Sequence, residues 1–129
     1  MPRNIKDADQ SVTRALPTAD GTVTSSDLDL GASPGDLENV ELEVVVPALN
    51  ATQLPDADTL TVTVQSGSSA SPTTSAHVFP VITGSTGYAG GTFRFRLPST
   101  IGRYVNVKFV AAGGTGDISG SDAIVRLVF

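Results

Sequence analysis

The single histidine of the chain, His77, follows Ser75 by two residues, and a serine beside an imidazole is the first requirement for nucleophilic catalysis. Such catalysis also needs a carboxylate that orients the imidazole and an oxyanion hole, and a lone histidine such as His77 is most often a surface or partly packed residue. Zinc is equally disfavoured, because one histidine without any cysteine cannot build the usual tetrahedral site. We therefore predict that His77 is a surface or partly packed residue without a catalytic role.

Two carboxylates, Glu41 and Glu43, stand two residues apart on one face of a predicted strand, a spacing that could bring them into the range used for glycoside hydrolysis. That chemistry also favours aromatic platforms for the sugar, and the chain has no tryptophan and only two tyrosines. A solvated strand face is the better interpretation. Arg94 and Arg96 show the same spacing, and we hypothesise that the two pairs meet, across a sheet or across an interface. Each contact would contribute about 0.2 to 1 kcal/mol.

Two acidic turns, at residues 55–58 and 117–122, could offer oxygen ligands to calcium. Neither matches the calcium loop of an EF-hand, and aspartate and serine are common turn formers. The glycine-rich run at residues 113–116 leads into a predicted strand rather than a helix N-terminus, so it lacks the geometry of a phosphate cradle. We therefore predict no catalytic residues, no metal ligands and no cofactor.

The composition favours one domain whose partners are proteins. At 129 residues and without cysteine, the chain must gain its stability from packing. Its polar N-terminus and short apolar runs predict neither a signal peptide nor a membrane span. Charge is segregated, with a balance of −8 in residues 1–64 and +3 in residues 65–129, which favours a complementary partner or a sister subunit. No basic cluster is dense enough to indicate binding to nucleic acid.

Alternation of apolar and polar residues predicts the strands that hold these groups. It is strictest in residues 92–97 and 103–109, which predict two neighbouring strands joined by a short turn. Further strands are predicted at residues 22–30, 40–46, 59–64, 76–83 and 122–129, with Pro80 confining the fourth of these to an edge or a bulge. The pattern predicts an all-β, jelly-roll-like β-sandwich or barrel of about eight short antiparallel strands. An extended N-terminal arm is predicted at residues 1–20 and a single β-sandwich domain at residues 21–129.

Four segments carry a resemblance to a known family: residues 1–7 (MPRNIKD), 54–64 (LPDADTLTVTV), 94–98 (RFRLP) and 103–109 (RYVNVKF), before a hydrophobic terminal strand. In this order they resemble the capsid cement, or decoration, proteins of short-tailed bacteriophages. The similarity spans essentially the whole chain and rests on order, length and ending rather than on one diagnostic motif.

The resemblance implies a jelly-roll-like fold without enzymatic activity or cofactor. It also implies homo-oligomers, dimers in particular, that are made in the host cytoplasm and bind the outer surface of an icosahedral head in the virion. There they would bridge neighbouring major capsid subunits and brace the shell against the pressure of the packaged genome. No direct contact with nucleic acid or membrane is implied.

We hypothesise that six basic residues contribute to protein–protein interfaces: Arg3, Lys6, Arg14, Arg94, Arg96 and Lys108. The N-terminal arm and a loop at residues 65–75 are predicted contact segments, because both are polar and lack apolar periodicity. Deletion of residues 1–16 is predicted to leave the domain folded and to weaken capsid binding. Two alternatives stay open: a jelly-roll carbohydrate-binding module, which the scarcity of aromatic residues disfavours, and a tail or receptor-binding adhesin subunit.

Overall fold

The structure, a computed structural model, describes residues 6–30, 40–98, 100–113 and 117–128. Every regular element in these ranges is a β-strand, so they contain no helix that could span a membrane. The strands are β1 (Lys6–Ala15), β2 (Thr22–Thr24), β3 (Leu28–Asp29), β4 (Glu41–Val46), β5 (Thr59–Gly67), β6 (Thr74–Val78), β7 (Ile82–Thr83), β8 (Gly91–Arg96), β9 (Tyr104–Ala112) and β10 (Asp122–Val128).

These strands form two antiparallel sheets that share one hydrophobic core. The first sheet has the order β1-β10-β4-β8, and the second has the order β2-β9-β5-β6, with β3 also paired to β9 and β7 to β5. Strands that follow each other along the chain mostly fall in opposite sheets, which is the double Greek-key connectivity of a jelly roll. β2 and β3 together form one interrupted strand, and so do β6 and β7, so the ten elements correspond to eight strands. The predicted jelly-roll-like sandwich of about eight antiparallel strands is therefore confirmed.

Each interruption has a local cause. Between β2 and β3, the side chain of Ser25 replaces a backbone acceptor, since its Oγ accepts a hydrogen bond from Val107 N at 3.0 Å and donates one to Ser26 O at 3.2 Å. Between β6 and β7 lies Pro80, which lacks the N–H that a ladder needs. The two flanking fragments pair with β5 at the edge of the second sheet, as Pro80 predicts.

The prediction that residues 92–97 and 103–109 form neighbouring strands is wrong. β8 pairs with β4 in the first sheet, whereas β9 pairs with β2, β3 and β5 in the second. Both strands direct their apolar residues into the same core from opposite sides. Their sequences therefore show the same alternation of apolar and polar residues as the two strands of a hairpin. The connection between them crosses from one sheet to the other and buries Leu97 and Ile101.

The core lies between the inward faces of the sheets, with the fully buried ring of Phe109 on β9 as its largest fully buried side chain among the described residues. Where β8 and β6 approach each other, four rings close the sandwich. His77 stacks on Phe95 with centroids 4.6 Å apart and meets Phe79 edge-on at 4.9 Å. Phe79 in turn lies 5.3 Å from Phe93. The prediction that His77 is partly packed is therefore confirmed.

The segment predicted as an N-terminal arm contains β1, which pairs antiparallel with β10 and extends the first sheet. Val12 packs against the core, and Leu16 is 1% exposed. Backbone pairing requires no apolar periodicity, which is why a polar sequence can supply an edge strand. A deletion of residues 1–16 would remove this strand together with a core leucine, so the expectation that the domain stays folded without them is not supported.

Candidate functional site

A cluster of charged side chains lies on the outer face of the first sheet. Strand β4 runs between β8 and β10, and the register places Glu43 opposite Arg94 on one side and Arg126 on the other. Arg94 donates from Nε (3.1 Å) and Nη2 (2.9 Å) to Glu43 Oε2, while Arg126 donates from Nε to Oε1 at 2.6 Å. Each carboxylate oxygen therefore serves a different arginine. We call Glu43, Arg94 and Arg126 the arginine cluster.

Glu43 is 2% exposed although it belongs to the outward face of β4, because the two arginines pair with it from both neighbouring strands. The arginine side chains themselves keep 46% (Arg94) and 23% (Arg126) of their surface exposed. A solvated strand face was predicted here, and that prediction is wrong for Glu43. The hypothesis that the glutamates meet the arginines is confirmed, and the contact lies within one sheet rather than across an interface.

The next row of the same face pairs Glu41 with Arg96 in the register of β4 and β8. Glu41 Oε2 also lies 3.9 Å from Arg94 Nη1, and the Glu41 side chain is 40% exposed. Exposed ion pairs contribute little, so this row adds less stability than the buried carboxylate. On β4, β8 and β10, the two rows together hold three arginines and two glutamates.

Lys108 and Arg14, two of the other basic residues predicted at interfaces, do not join this cluster. Lys108 alternates with buried residues of β9 and so belongs to the outer face of the second sheet. Arg14 is exposed on the edge strand β1, and Lys6 begins that strand. Arg3 lies outside the described residues. Among the predicted residues whose side chains the structure describes, Arg94 and Arg96 share one face of β8, Lys108 belongs to the opposite outer face, and Arg14 lies on an edge strand.

Arg126 completes the arginine cluster, and sequence reasoning missed it as a site residue. Its sequence signal was present, since it alternates with the buried Val125 and Leu127 of β10. What the sequence lacked was the strand order, which brings β10 beside β4.

A second arginine–carboxylate pair joins Arg103, the residue before β9, to Asp29 of β3. Arg103 donates from Nε to Asp29 Oδ1 (2.8 Å) and from Nη2 to Oδ2 (3.0 Å), and its guanidinium lies 5.1 Å from the ring centroid of Tyr104. The hydrogen bond to Asp29, followed by its negative charge, raises the pKa of Arg103. Because both side chains are almost half exposed, we assign this pair a local role in holding the short strand β3.

A polar groove of about 510 Å³ lies on the outer face of the second sheet, beside the turn at residues 68–73. The turn is held by hydrogen bonds from Ser71 N to Asp27 Oδ2 (2.6 Å) and from Asn106 Nδ2 to Pro72 O (3.2 Å). Asn106 Nδ2 also donates to Asp27 Oδ1 at 3.1 Å, which fixes the orientation of the amide. Its Oδ1 is left buried without a hydrogen-bond partner among the described residues. Sequence reasoning placed a featureless loop at residues 65–75 and missed this groove.

The acidic turns act as local structure. Asp117 Oδ1 accepts hydrogen bonds from Ser119 N (2.9 Å) and Ser119 Oγ (2.6 Å), and these bonds lower the pKa of Asp117. Asp56 Oδ1 accepts one from Thr86 N at 2.6 Å. Within the described ranges, no cluster of three or more His, Asp or Glu side chains forms that could hold a metal ion.

A scan against protein-family models found no match, and a search of curated proteins found none either. A search of solved structures found a chain described as "CBM4 structure and function". It is 14% identical, with a TM-score of 0.39, and the alignment covers 85% of this chain and 70% of that one. The jelly-roll fold is shown by the strand order and the shared core.

Proposed function

We propose that this protein is a capsid cement, or decoration, protein that binds the outside of an icosahedral phage head and bridges neighbouring major capsid subunits. The proposal is supported by the whole-chain resemblance described above. Two of the matching segments fall on β8 and β9, the strands that carry Arg94, Arg96 and Lys108.

The observation that carries the proposal is the presence of basic residues on opposite outer faces of one sandwich. Arg94 and Arg96 belong to the outer face of the first sheet, and Lys108 belongs to that of the second. A bridging protein needs at least two contact surfaces. A jelly roll with one packed core holds two such surfaces at a fixed separation, so movement of one bound subunit is transmitted to the other.

The mechanism is linkage between binding and assembly. A protein that binds the assembled lattice, and not the separated subunits, stabilises the lattice by its free energy of binding. Two bridged subunits can then separate only when one contact of the bridge also breaks. Repetition of this bridge over the shell makes modest contacts effective.

The proposal is tested by adding the purified protein to expanded shells of the phage that encodes it. We expect saturable binding to assembled shells, no binding to separated capsid subunits, and a higher temperature of shell disruption by light scattering. Lys108→Gln should still bind through the first sheet but raise the disruption temperature less, because the second contact is weakened. Shells that bind no wild-type protein, or that gain no stability when saturated, would contradict the proposal.

A second candidate function, carbohydrate binding, is favoured by one observation, the polar groove. Its lining is rich in hydroxyl groups, and the amide of Asn106 holds the turn that forms one of its walls. A glycan array with wild type and Asn106→Ala separates the two functions. Binding that Asn106→Ala abolishes would support this candidate, whereas the cement proposal expects no glycan-dependent signal.

A further inference from the structure

We propose that the arginine cluster is a docking surface for an acidic, extended polypeptide segment, and that Glu43 is the residue that positions its two guanidinium groups. The assignment of that segment to a capsid subunit rests on the proposed function. The chemistry of the surface does not, and it can be tested separately.

The arginine cluster holds two guanidinium groups and one carboxylate. Arg94 and Arg126 share the carboxylate of Glu43, and the partly exposed Glu41 is a further carboxylate near Arg94. Arg94 directs Nε and Nη2 at Glu43, while its Nη1 lies 3.9 Å from the carboxylate of Glu41, beyond hydrogen-bond distance. Its guanidinium therefore keeps N–H donors available at a side chain that is 46% exposed. A carboxylate is the group that such a planar donor set binds best in a protein partner.

Glu43 preorganises the two arginines of the cluster. A free arginine on a surface loses rotational freedom when it binds, and this loss weakens the complex. In the cluster, Glu43 anchors both arginines from a buried position between them, so their side chains are already ordered before a partner arrives. Glu43 cannot itself touch a partner, because its side chain is only 3% exposed. Its role in docking is therefore to position the arginines.

A row of uncharged residues lies beside the cluster on the same face of the first sheet. The register of the first sheet aligns four residues there, across β1, β10, β4 and β8: Thr13, Ile124, Val45 and Thr92. Ile124 and Val45 are partly exposed. Rows on one face of a sheet repeat every second residue, about 7 Å apart. An extended segment with an acidic residue at one position and an apolar residue two positions later can thus place a carboxylate over the arginines and an apolar side chain over Ile124, a combination that a free phosphate does not offer.

The test uses a twelve-residue peptide that repeats Glu-Ser-Val-Ser, so that glutamate and valine alternate on one face of the extended chain, titrated into the full-length protein by calorimetry. The control peptide repeats Lys-Ser-Val-Ser. We expect binding of the acidic peptide that weakens as salt is added. Arg94→Gln and Arg126→Gln should each lower the affinity by about tenfold. Arg103→Gln, which removes an exposed guanidinium group beside the second sheet, should leave it unchanged. Arg94→Lys should recover only part of the loss, because an ammonium group keeps the charge without the planar fork of donors.

Thermal melting of each variant shows that it is folded before its affinity is compared. Equal affinity of wild type, Arg94→Gln and Arg126→Gln would overturn the inference, as would equal binding of the two peptides. Shells that bind wild type and both arginine variants equally would overturn it too, while leaving the cement function standing. If the peptide results hold and shells bind no protein, the docking surface stands and the cement function fails.

Discussion

Replacement of Glu43 with glutamine is expected to lower the free energy of unfolding by about 2 kcal/mol. The wild-type carboxylate accepts charge-assisted hydrogen bonds from Arg94 on one oxygen and from Arg126 on the other. Glutamine keeps the shape but offers one carbonyl oxygen, and its NH₂ group would face the second guanidinium donor to donor. Because Arg94 is 46% exposed, water can solvate its guanidinium group in the variant. The loss of stability therefore stays below the roughly 3 to 5 kcal/mol expected when a fully buried ion pair is broken.

The matched control is Glu41→Gln, which removes the same charge two residues earlier on the same strand face. Glu41 is 40% exposed and lies 3.9 Å from Arg94, so its loss should cost about 0.5 kcal/mol or less. Urea unfolding of the wild type, Glu43→Gln and Glu41→Gln provides the comparison. The slope of the free energy of unfolding against urea concentration should be the same for all three proteins. Equal stabilities of the two variants would show that burial of Glu43 contributes nothing beyond an ordinary surface charge.

The sequence predicted which residues face the core but not which sheet they belong to. Alternation in residues 92–97 and 103–109 correctly assigned Phe95 and Phe109 to the inward faces. It could not separate a hairpin from two strands that face each other across a core, because both arrangements produce the same period of two. That distinction depends on the connections of the whole jelly roll, to which a short turn contributes no local signal.

The part of the candidate site that depends on the two-residue spacing along a strand was predictable from the sequence. The part that depends on which strands lie side by side was not. Glu41, Glu43, Arg94 and Arg96 share a spacing of two, so once two strands pair, opposite charges can face each other in register. The arrival of Arg126 from the far end of the chain could not be read from spacing. Nor could the burial of Glu43, which follows from having an arginine on both sides.

The largest loss of stability is expected for Phe109→Ala, about 3 to 5 kcal/mol. Phe109 is 0% exposed and lies on β9, with Val23 of β2 opposite it on one side and Val62 of β5 on the other. Removal of the ring takes away its burial and leaves a cavity. The cavity cannot collapse easily, because hydrogen-bonded ladders on both sides hold the backbone of β9 in place.

The control is Val110→Ala, at the next residue of β9, where the side chain belongs to the outer face and is partly exposed. Val110 lies on the same strand as Phe109, between the same hydrogen-bonded neighbours, and both residue types favour strands. A difference in stability between the two variants therefore isolates the contribution of the ring to the core. We expect a loss of about 1 kcal/mol or less for Val110→Ala in urea unfolding. If Phe109→Ala costs no more than that control, β9 does not form the centre of the core. The facing of the two sheets across Phe109, which fixes the separation of the two outer faces, would then have to be reconsidered.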